Sequence, residues 1–221
     1  MKAVFSVGSI PVYGDLILAP MDGVTDMPFR ALVREMGSAM SYTGFVNAQE
    51  ILAGSPHIEP ALAFEETERP VVFQLFDDDP DRMLQAALEV RKREPDIIDI
   101  NMGCSAKTVA GRGAGAGLLC EPRKIARIFD CLSKTLDIPV TGKIRLGWDE
   151  ESLNYLETAK IIEENGGSLI AVHGRTKRQG YTGRADWQPI AEVKQAVSVP
   201  VIGNGDVRTR DDIAAIKKIT A

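Results

Sequence analysis

Short apolar runs recur along this chain about every thirty residues, and segments with helical periodicity separate them. The seven runs are LILAPM (16–21), AMSYTGFV (39–46), PVVFQLF (70–76), IIDINM (97–102), PVTGKIRLG (139–147), SLIAVHG (168–174) and PVIGNGDV (200–207). Strands that alternate with helices build a parallel sheet, because each helix carries the chain back before the next strand begins. The pattern predicts an α/β fold, a TIM (β/α)8-type barrel with only seven strands present in this chain.

Prolines and apolar stripes mark the helices between these runs. After Asp26, an apolar stripe of Phe29, Leu32, Val33 and Met36 predicts a helix that packs on the sheet. Proline is favoured in the first turn of a helix, where its missing N–H is not needed. Further helices are therefore predicted to begin at Pro80, Pro122 and Pro189, and helical spacing predicts two others at about 150–165 and at 211–219.

The repeats stop after the seventh strand, although a parallel barrel needs an eighth strand to avoid two unpaired sheet edges. We therefore interpret residues 1–221 as one barrel domain that is incomplete at its C-terminus. Before the first strand, residues 5–14 are expected to form a short hairpin that caps the floor of the barrel.

The composition is that of a soluble globular protein, with 44% hydrophobic and 26% charged residues. No apolar run reaches the roughly 18 residues that a membrane span needs, so no membrane contact is expected. The three cysteines have unrelated spacings, which argues against a disulfide framework and a zinc site and favours the reducing cytoplasm. A net charge of −5 argues against general affinity for nucleic acid but leaves local basic patches possible.

Polar residues end most of the predicted strands, where barrels of this type carry their chemistry. In the run 139–147, Thr141, Lys143 and Arg145 share one face because successive side chains of a strand alternate. Two cations that point into a barrel mouth are costly unless an anion lies between them, so they favour an anionic ligand. Pairing with a barrel acid such as Asp99 is the structural alternative. Together the strand ends carry Gln74, Asn101, Lys143, Arg145, His173 and Asn204.

A long loop with five glycines, residues 103–117, follows the run 97–102. Loops of this length in compact domains are usually functional, so we expect an active-site lid, with disorder as the alternative. Cys104 stands three residues after Asn101, where a thiol can serve as a proton donor or a nucleophile. Cys120 and Cys131 lie next to or within a helical stripe and are expected to be core residues.

Two glycines frame the end of the last predicted strand, in the sequence GNGD (203–206). Glycines let backbone N–H groups approach a phosphate closely, and the loops after strands seven and eight form the usual phosphate site of this fold. We therefore expect a phosphate group here, with an ordinary turn as the alternative.

The loop after the run 168–174 is rich in cations, although the protein as a whole is acidic. Arginine and lysine contact phosphates and aromatic rings stack on bases, which is how proteins recognise RNA. A solvated charged loop is the alternative. The residues concerned are Arg175, Lys177, Arg178, Arg184, Tyr181 and Trp187, and Lys107 and Arg112 add two cations to the glycine-rich loop.

Five segments of the chain together closely resemble the tRNA-dihydrouridine synthases. They are LAPMDGVTDMPFR (18–30), DINMGCSAKTVAGRGAGAGLL (99–119), KIRLGWD (143–149), HGRTKRQGYTGRADW (173–187) and PVIGNGDV (200–207). The resemblance implies an FMN-binding TIM barrel followed by a small helical domain that helps to grip tRNA. By comparison with that pattern, residues 1–221 lack the eighth strand and the helical domain.

By this resemblance, FMN lies across the barrel mouth, NADPH reduces it, and a hydride passes to C6 of a tRNA uridine while Cys104 protonates C5. The uridine must leave its stack to reach a buried flavin. The residues implied to bind the cofactor are Pro20, Met21, Gln74, Lys143, His173, Asn204, Gly205 and Asp206. Those implied to bind the uracil or the nearby RNA are Asn101, Arg145, Arg175, Lys107, Lys177, Arg178 and Tyr181. We expect a cytoplasmic enzyme without a metal, and a monomer.

The sequence departs from the family pattern at three places. Gly44 stands where relatives commonly carry Glu, Ser105 follows the cysteine where Pro is frequent, and the last strand is missing. The missing strand leads us to expect weakened FMN retention and impaired tRNA binding. A dihydroorotate or dihydropyrimidine dehydrogenase and a non-catalytic RNA-binding remnant are the competing hypotheses. The basic loop 174–187 argues against the first, and the set of Cys104, Lys143 and His173 argues against the second.

Overall fold

A parallel sheet organises residues 2–220, the part of the chain that the computed structural model describes. Strands β1 (Phe5–Val7) and β2 (Ile10–Val12) form a separate antiparallel hairpin. The strands of the sheet are β3 (Ser41–Tyr42), β4 (Val46–Asn47), β5 (Val71–Phe76), β6 (Ile97–Met102), β7 (Val140–Arg145), β8 (Ile170–His173) and β9 (Val201–Asn204). Their order is β3-β5-β6-β7-β8-β9, and β4 also pairs with β5, so the α/β architecture of the TIM-barrel type is confirmed.

The parallel register brings the polar strand ends side by side. Asn101 on β6 lies opposite Lys143 on β7, and His173 on β8 lies opposite both Arg145 and Asn204. Because all these strands run in the same direction, their carboxyl ends meet at one edge of the sheet.

The described residues contain nine α-helices, of which the last follows β9 and the others lie between strands. They are α1 (Met27–Glu35), α2 (Ala48–Leu52), α3 (Ile58–Ala61), α4 (Pro80–Arg91), α5 (Lys107–Ala110), α6 (Pro122–Thr135), α7 (Tyr155–Glu164), α8 (Gln188–Ala196) and α9 (Arg210–Thr220), with 3-10 turns at Glu66–Glu68 and Gly115–Cys120. Helices α4, α6 and α8 bury the predicted stripes against the sheet. Helices α4 and α6 begin at the predicted prolines, and α8 begins at Gln188, one residue before the predicted Pro189. Within the described residues, none of these helices is both long and apolar enough to cross a membrane.

The helix predicted at about 150–165 begins later than expected, because α7 starts at Tyr155 rather than near Glu150. Residues 147–154 instead form a tight turn closed by a bridge between Gly147 and Leu153. The N–H of Asn154 donates to the carbonyl oxygen of Leu146 at 3.1 Å, so it does not donate to the carbonyl of Glu150 as a helix that began near that residue would require.

Helix α1 does not pack as its apolar stripe predicts. Leu32 and Met36 are 48% and 74% exposed, and Phe29 is also exposed. The helix is instead anchored by Arg30, which is buried and donates to the carboxylate of Glu68 at 2.7 Å. Periodicity therefore located the helix correctly but assigned its buried face to the wrong side.

The first predicted strand, residues 16–21, lies wholly in the described part of the chain and does not form a strand. One backbone hydrogen bond, from the N–H of Ala39 to the carbonyl oxygen of Leu16 at 2.8 Å, joins it to the residues before β3. A strand needs a repeating ladder of such bonds, which this segment lacks. The second predicted run also divides into the short strands β3 and β4.

The predicted hairpin over residues 5–14 is confirmed. Val7 and Val12 are fully buried and pack with residues at the amino ends of the strands, including Val72 and Leu169. The hairpin therefore caps the floor of the barrel, and the opposite end of the sheet stays open for a site.

Candidate active site

A cavity of about 560 Å³ lies at the carboxyl ends of the strands. Its walls hold most of the residues that the sequence places in a site. The predicted residues that line it are Pro20, Met21, Asn101, Cys104, Lys143, Arg145, His173, Arg175, Tyr181, Asn204, Gly205 and Asp206. Sequence reasoning missed Phe45 and Arg208, which also line the cavity. Their positions gave a weak signal, since Phe45 is next to last in the second apolar run and Arg208 closely follows the GNGD turn.

Cys104 is half-buried in the cavity wall, where Asn101, the next-to-last residue of β6, holds its backbone. The side-chain oxygen of Asn101 accepts hydrogen bonds from the N–H groups of Gly103 at 3.0 Å and of Cys104 at 2.8 Å. Burial raises the pKa of the Cys104 thiol, although a hydrogen bond from the backbone of Ala106 opposes that rise. The thiol is therefore protonated at neutral pH, the state that a proton donor requires.

The glycine-rich loop is folded against the sheet. Only its first part, residues 103–106, lines the cavity, whereas residues 114–119 are buried. The N–H of Ala116 donates to the carbonyl oxygen of Cys104 at 3.1 Å. A Cβ at Gly115 would lie 3.0 Å from that oxygen, so close packing at this turn requires glycine. The alternative of disorder is wrong, because this packing fixes the loop, whereas a lid function for residues 103–106, which line the cavity, stays a prediction.

Lys143 and His173 are polar residues of the cavity wall that lie next to Asn204 at the end of β9. The ammonium group of Lys143 donates to the side-chain oxygen of Asn204 at 3.1 Å. Burial, reinforced by the charge of Arg145, lowers the pKa of Lys143 to about 8. Burial together with neighbouring cations also lowers the pKa of His173 to about 3, so its imidazole is neutral at physiological pH.

Arg145 and Arg175 are both buried, and each guanidinium donates hydrogen bonds to carbonyl oxygens of the surrounding loops. Arg145 donates to the carbonyl oxygens of Gly103 at 2.7 Å and of Gly180 at 2.8 Å. Arg175 donates to the carbonyl oxygen of Gly183 at 2.9 Å and to the carboxylate of Asp206 at 2.7 Å. The structure thus gives both guanidinium groups a role in shaping the cavity, and their contact with substrate stays a prediction.

Gln74 lies beneath the cavity and is fully buried. Its amide nitrogen donates to Asp99 at 2.7 Å and its amide oxygen accepts from Asn101 at 2.8 Å. The implied hydrogen bond from Gln74 to a flavin ring therefore stays a prediction. Asp99 does not form the direct ion pair with a barrel cation that the structural alternative required, since its two oxygens accept from Gln74 and Thr141.

Of the remaining residues predicted to contact RNA, Tyr181 lies at the edge of the cavity and the three cations Lys107, Lys177 and Arg178 lie outside it. Lys107 and Arg178 are exposed, and the ammonium group of Lys177 lies 4.0 Å from the centroid of the Trp148 ring. Tyr181 is 82% exposed at the cavity edge, with the guanidinium of Arg145 5.6 Å from its ring centroid. Cys120, which the sequence placed in the core, is exposed because it ends the 3-10 turn at the surface.

The family model for dihydrouridine synthases matches residues 17–221 of this chain. The probable tRNA-dihydrouridine synthase 1 of Synechocystis sp. is 41% identical over 204 residues, which cover 91% of this chain and 57% of that protein. The tRNA-dihydrouridine synthase B of Pseudomonas aeruginosa is 41% identical over 205 residues, which cover 93% of this chain and 62% of that protein. The chain thus spans about three fifths of the length of these relatives.

Solved structures with low sequence identity share the fold. The BexX/CysO complex of Amycolatopsis orientalis superposes with a TM-score of 0.64 at 14% identity, covering 100% of this chain and 82% of the compared chain. A FabK mutant from Thermotoga maritima gives a TM-score of 0.53 at 12% identity, covering 95% of this chain and 59% of the compared chain. At these identities the likeness concerns the architecture alone.

Proposed function

The chain belongs to the dihydrouridine synthase family, and we propose that it reduces the C5–C6 double bond of a uridine in tRNA. The observation that carries this proposal is the position of the Cys104 thiol, whose pKa burial raises, in the wall of a cavity that Lys143, Arg145 and Arg175 also line. A reduction of this kind needs a hydride at one carbon and a proton at the other, and the thiol supplies the proton.

The residues of the cavity fit FMN. A volume of about 560 Å³ lies within the range of about 300–1,000 Å³ that is common for cofactor sites. The cations of its walls suit an anionic phosphate, and Gly205 brings the backbone so close that an added Cβ would lie 2.8 Å from the His173 ring. A bound flavin supplies the hydride, and NADPH is the reductant that we propose for it.

We assign the residues that line the cavity specific roles in binding the cofactor. Asn204 and Gly205 hold the phosphate end of the cofactor, where the glycine backbone can come close. Asp206 borders the cofactor beside them, with its carboxylate paired to Arg175. Lys143 stabilises negative charge on the reduced cofactor, and the neutral His173 can donate or accept a hydrogen bond beside it. We place Pro20 and Met21 against the cofactor as well, since both line the cavity.

Cys104 donates its proton to C5 of the uracil. The donor must lie within hydrogen-bond distance of that carbon in the bound state, and the Asn101 side chain holds the Cys104 backbone toward the cavity. We propose that Asn101 also orients the uracil, together with Arg145 and Arg175. The base has to be flipped out of its stack to enter, and the exposed ring of Tyr181 offers it a stacking surface at the entrance.

The RNA backbone is proposed to follow cations outside the cavity. Lys107, Lys177 and Arg178 lie on the two loops that border its entrance, after β6 and after β8. Phosphate contacts of this kind provide affinity that does not depend on base sequence and that weakens as salt rises.

The test compares Cys104→Ala with Cys120→Ala, in which an exposed cysteine outside the cavity is replaced. Dihydrouridine in a tRNA substrate is quantified by mass spectrometry after digestion, with FMN and NADPH supplied. We expect Cys104→Ala to lose at least about 100-fold in rate, the usual contribution of a general acid, and to keep its FMN affinity. Cys120→Ala should match the parent protein.

Unchanged dihydrouridine formation in Cys104→Ala would refute the assigned proton donor. Oxidation of free dihydroorotate without tRNA would instead favour a small-molecule dehydrogenase, and saturable tRNA binding without any FMN uptake would favour a binding protein.

A further inference from the structure

A line of hydrogen bonds runs from the interior of the sheet to the backbone of Cys104. Asp99 accepts from the amide nitrogen of Gln74 at 2.7 Å, and the amide oxygen of Gln74 accepts from the amide nitrogen of Asn101 at 2.8 Å. The amide oxygen of Asn101 then accepts from the N–H groups of Gly103 and Cys104. Two amide side chains, Gln74 on β5 and Asn101 on β6, thereby connect a buried carboxylate to the backbone of the proposed proton donor.

The direction of this line is set by the chemistry of its two ends. A carboxylate can only accept hydrogen bonds, and a backbone N–H can only donate them. Between these ends, the amides of Gln74 and Asn101 must both turn the nitrogen toward Asp99 and the oxygen toward Cys104. If either amide were reversed, N–H would face N–H at one contact and oxygen would face oxygen at the next.

The burial of Asp99 indicates that the carboxylate has a task beyond packing. Its side chain is 0% exposed, and burial raises its pKa to about 6. The second oxygen accepts from the hydroxyl of Thr141 at 2.6 Å, so both oxygens are used. Lys143 is near enough to act on the charge of Asp99 but donates to Asn204. A carboxylate in this position costs desolvation free energy that an apolar residue would avoid.

We propose that Asp99 is a positioning residue: it fixes the orientation of the Gln74 and Asn101 amides, and these fix the backbone that presents the Cys104 thiol to the cavity. The proton transfer that this arrangement serves rests on the proposed function. The arrangement itself involves neither cofactor nor RNA, so the two ideas can be tested apart.

The test measures how fast iodoacetamide alkylates Cys104, with each cysteine followed separately by peptide mass spectrometry. Asp99→Leu removes the acceptor, so the amides lose their fixed orientation and the thiol leaves the hydrogen bond from Ala106. We expect alkylation of Cys104 to slow by about tenfold, because a hydrogen bond to a thiolate is charge-assisted. Hydrogen exchange of the Cys104 N–H, followed by NMR, should accelerate by about tenfold or more.

Asp99→Asn should restore both readouts to within about twofold of the parent protein. Its amide oxygen can accept from Gln74 and its nitrogen can donate to Thr141. The matched control is Glu68→Gln, which neutralises an equally buried carboxylate that pairs with Arg30. That variant should leave the reactivity of Cys104 unchanged.

If Asp99→Leu does not fold, Gln74→Met decides the question, since it removes the middle link and leaves Asp99 and Thr141 in place. Slower alkylation with faster exchange in Gln74→Met supports the proposal. Parent-like values in either folded variant overturn it. A parent protein that forms no dihydrouridine would refute the proposed function and would leave these measurements unaffected.

Discussion

Replacing Gly205 by alanine should disturb the cavity where the Gly205 backbone packs against the side chains of Ala185 and His173. Gly205 has a φ of +116°, which residues with a Cβ rarely adopt. The added Cβ would lie 2.7 Å from the Cβ of Ala185 and 2.8 Å from the ring of His173. Contacts this short force one of the neighbours to move, and His173 borders the proposed cofactor site.

Two separate costs add in this variant. The unfavourable backbone conformation costs about 1–3 kcal/mol and the overpacking about 1–3 kcal/mol more. We therefore expect the free energy of unfolding to fall by about 2–6 kcal/mol in total. Gly183→Ala is the matched control, because Gly183 also has a positive φ, +65°, but no atom lies within 4 Å of the added Cβ. It should lose only the backbone part, about 1–2 kcal/mol.

Urea denaturation measures the two unfolding free energies, and quenching of flavin fluorescence measures FMN affinity. Gly205→Ala should bind FMN at least about tenfold more weakly, whereas Gly183→Ala should bind it like the parent protein. Equal losses of stability in the two variants would show that the contacts with Ala185 and His173 relax freely. Unchanged FMN affinity in Gly205→Ala would refute the placement of the cofactor beside this turn.

Two further predictions concern pH. Lys143, with a pKa of about 8, loses its charge above that pH, so FMN affinity should weaken as pH rises through 8, and Lys143→Met should abolish this dependence in the same titration. His173 stays neutral in the folded protein down to about pH 3, whereas an unfolded histidine takes up a proton below about pH 6.5. Between these values the unfolded state binds more protons, so folding free energy is lost on acidification. His173→Gln should lose less stability than the parent protein between pH 6.5 and 4.5 in urea denaturation.

The grouping of polar residues at the strand ends could be predicted from the sequence. The alternation of side chains along a strand and the parallel order of the strands determine which of these residues lie together. Alternation along β7 places Lys143 and Arg145 on one face, and the parallel register then sets Lys143 beside Asn101 and Arg145 beside His173. These relations depend on backbone geometry alone. The part of the cavity wall that is formed by the ends of β6, β7, β8 and β9 therefore followed from the positions of the apolar runs.

The partners of the polar side chains could not be predicted in the same way. Helix α1 buries Arg30 rather than Leu32 because a carboxylate from a distant segment, Glu68, receives the guanidinium. Likewise, Arg145 donates to loop carbonyls that sequence periodicity does not place. Such pairings depend on tertiary contacts across many residues, which no local pattern encodes.

The hydrogen-bond partners of the cavity cations favour the anionic ligand that we propose. Arg175 is paired with the carboxylate of Asp206, whereas Arg145 donates to carbonyl oxygens and Lys143 to an amide oxygen. Neutral acceptors satisfy hydrogen bonds but do not cancel charge, so the charge of Arg145 still lowers the pKa of Lys143. A neutral His173 avoids adding another positive charge. An anionic ligand that enters this wall therefore removes an existing repulsion as well as forming new bonds.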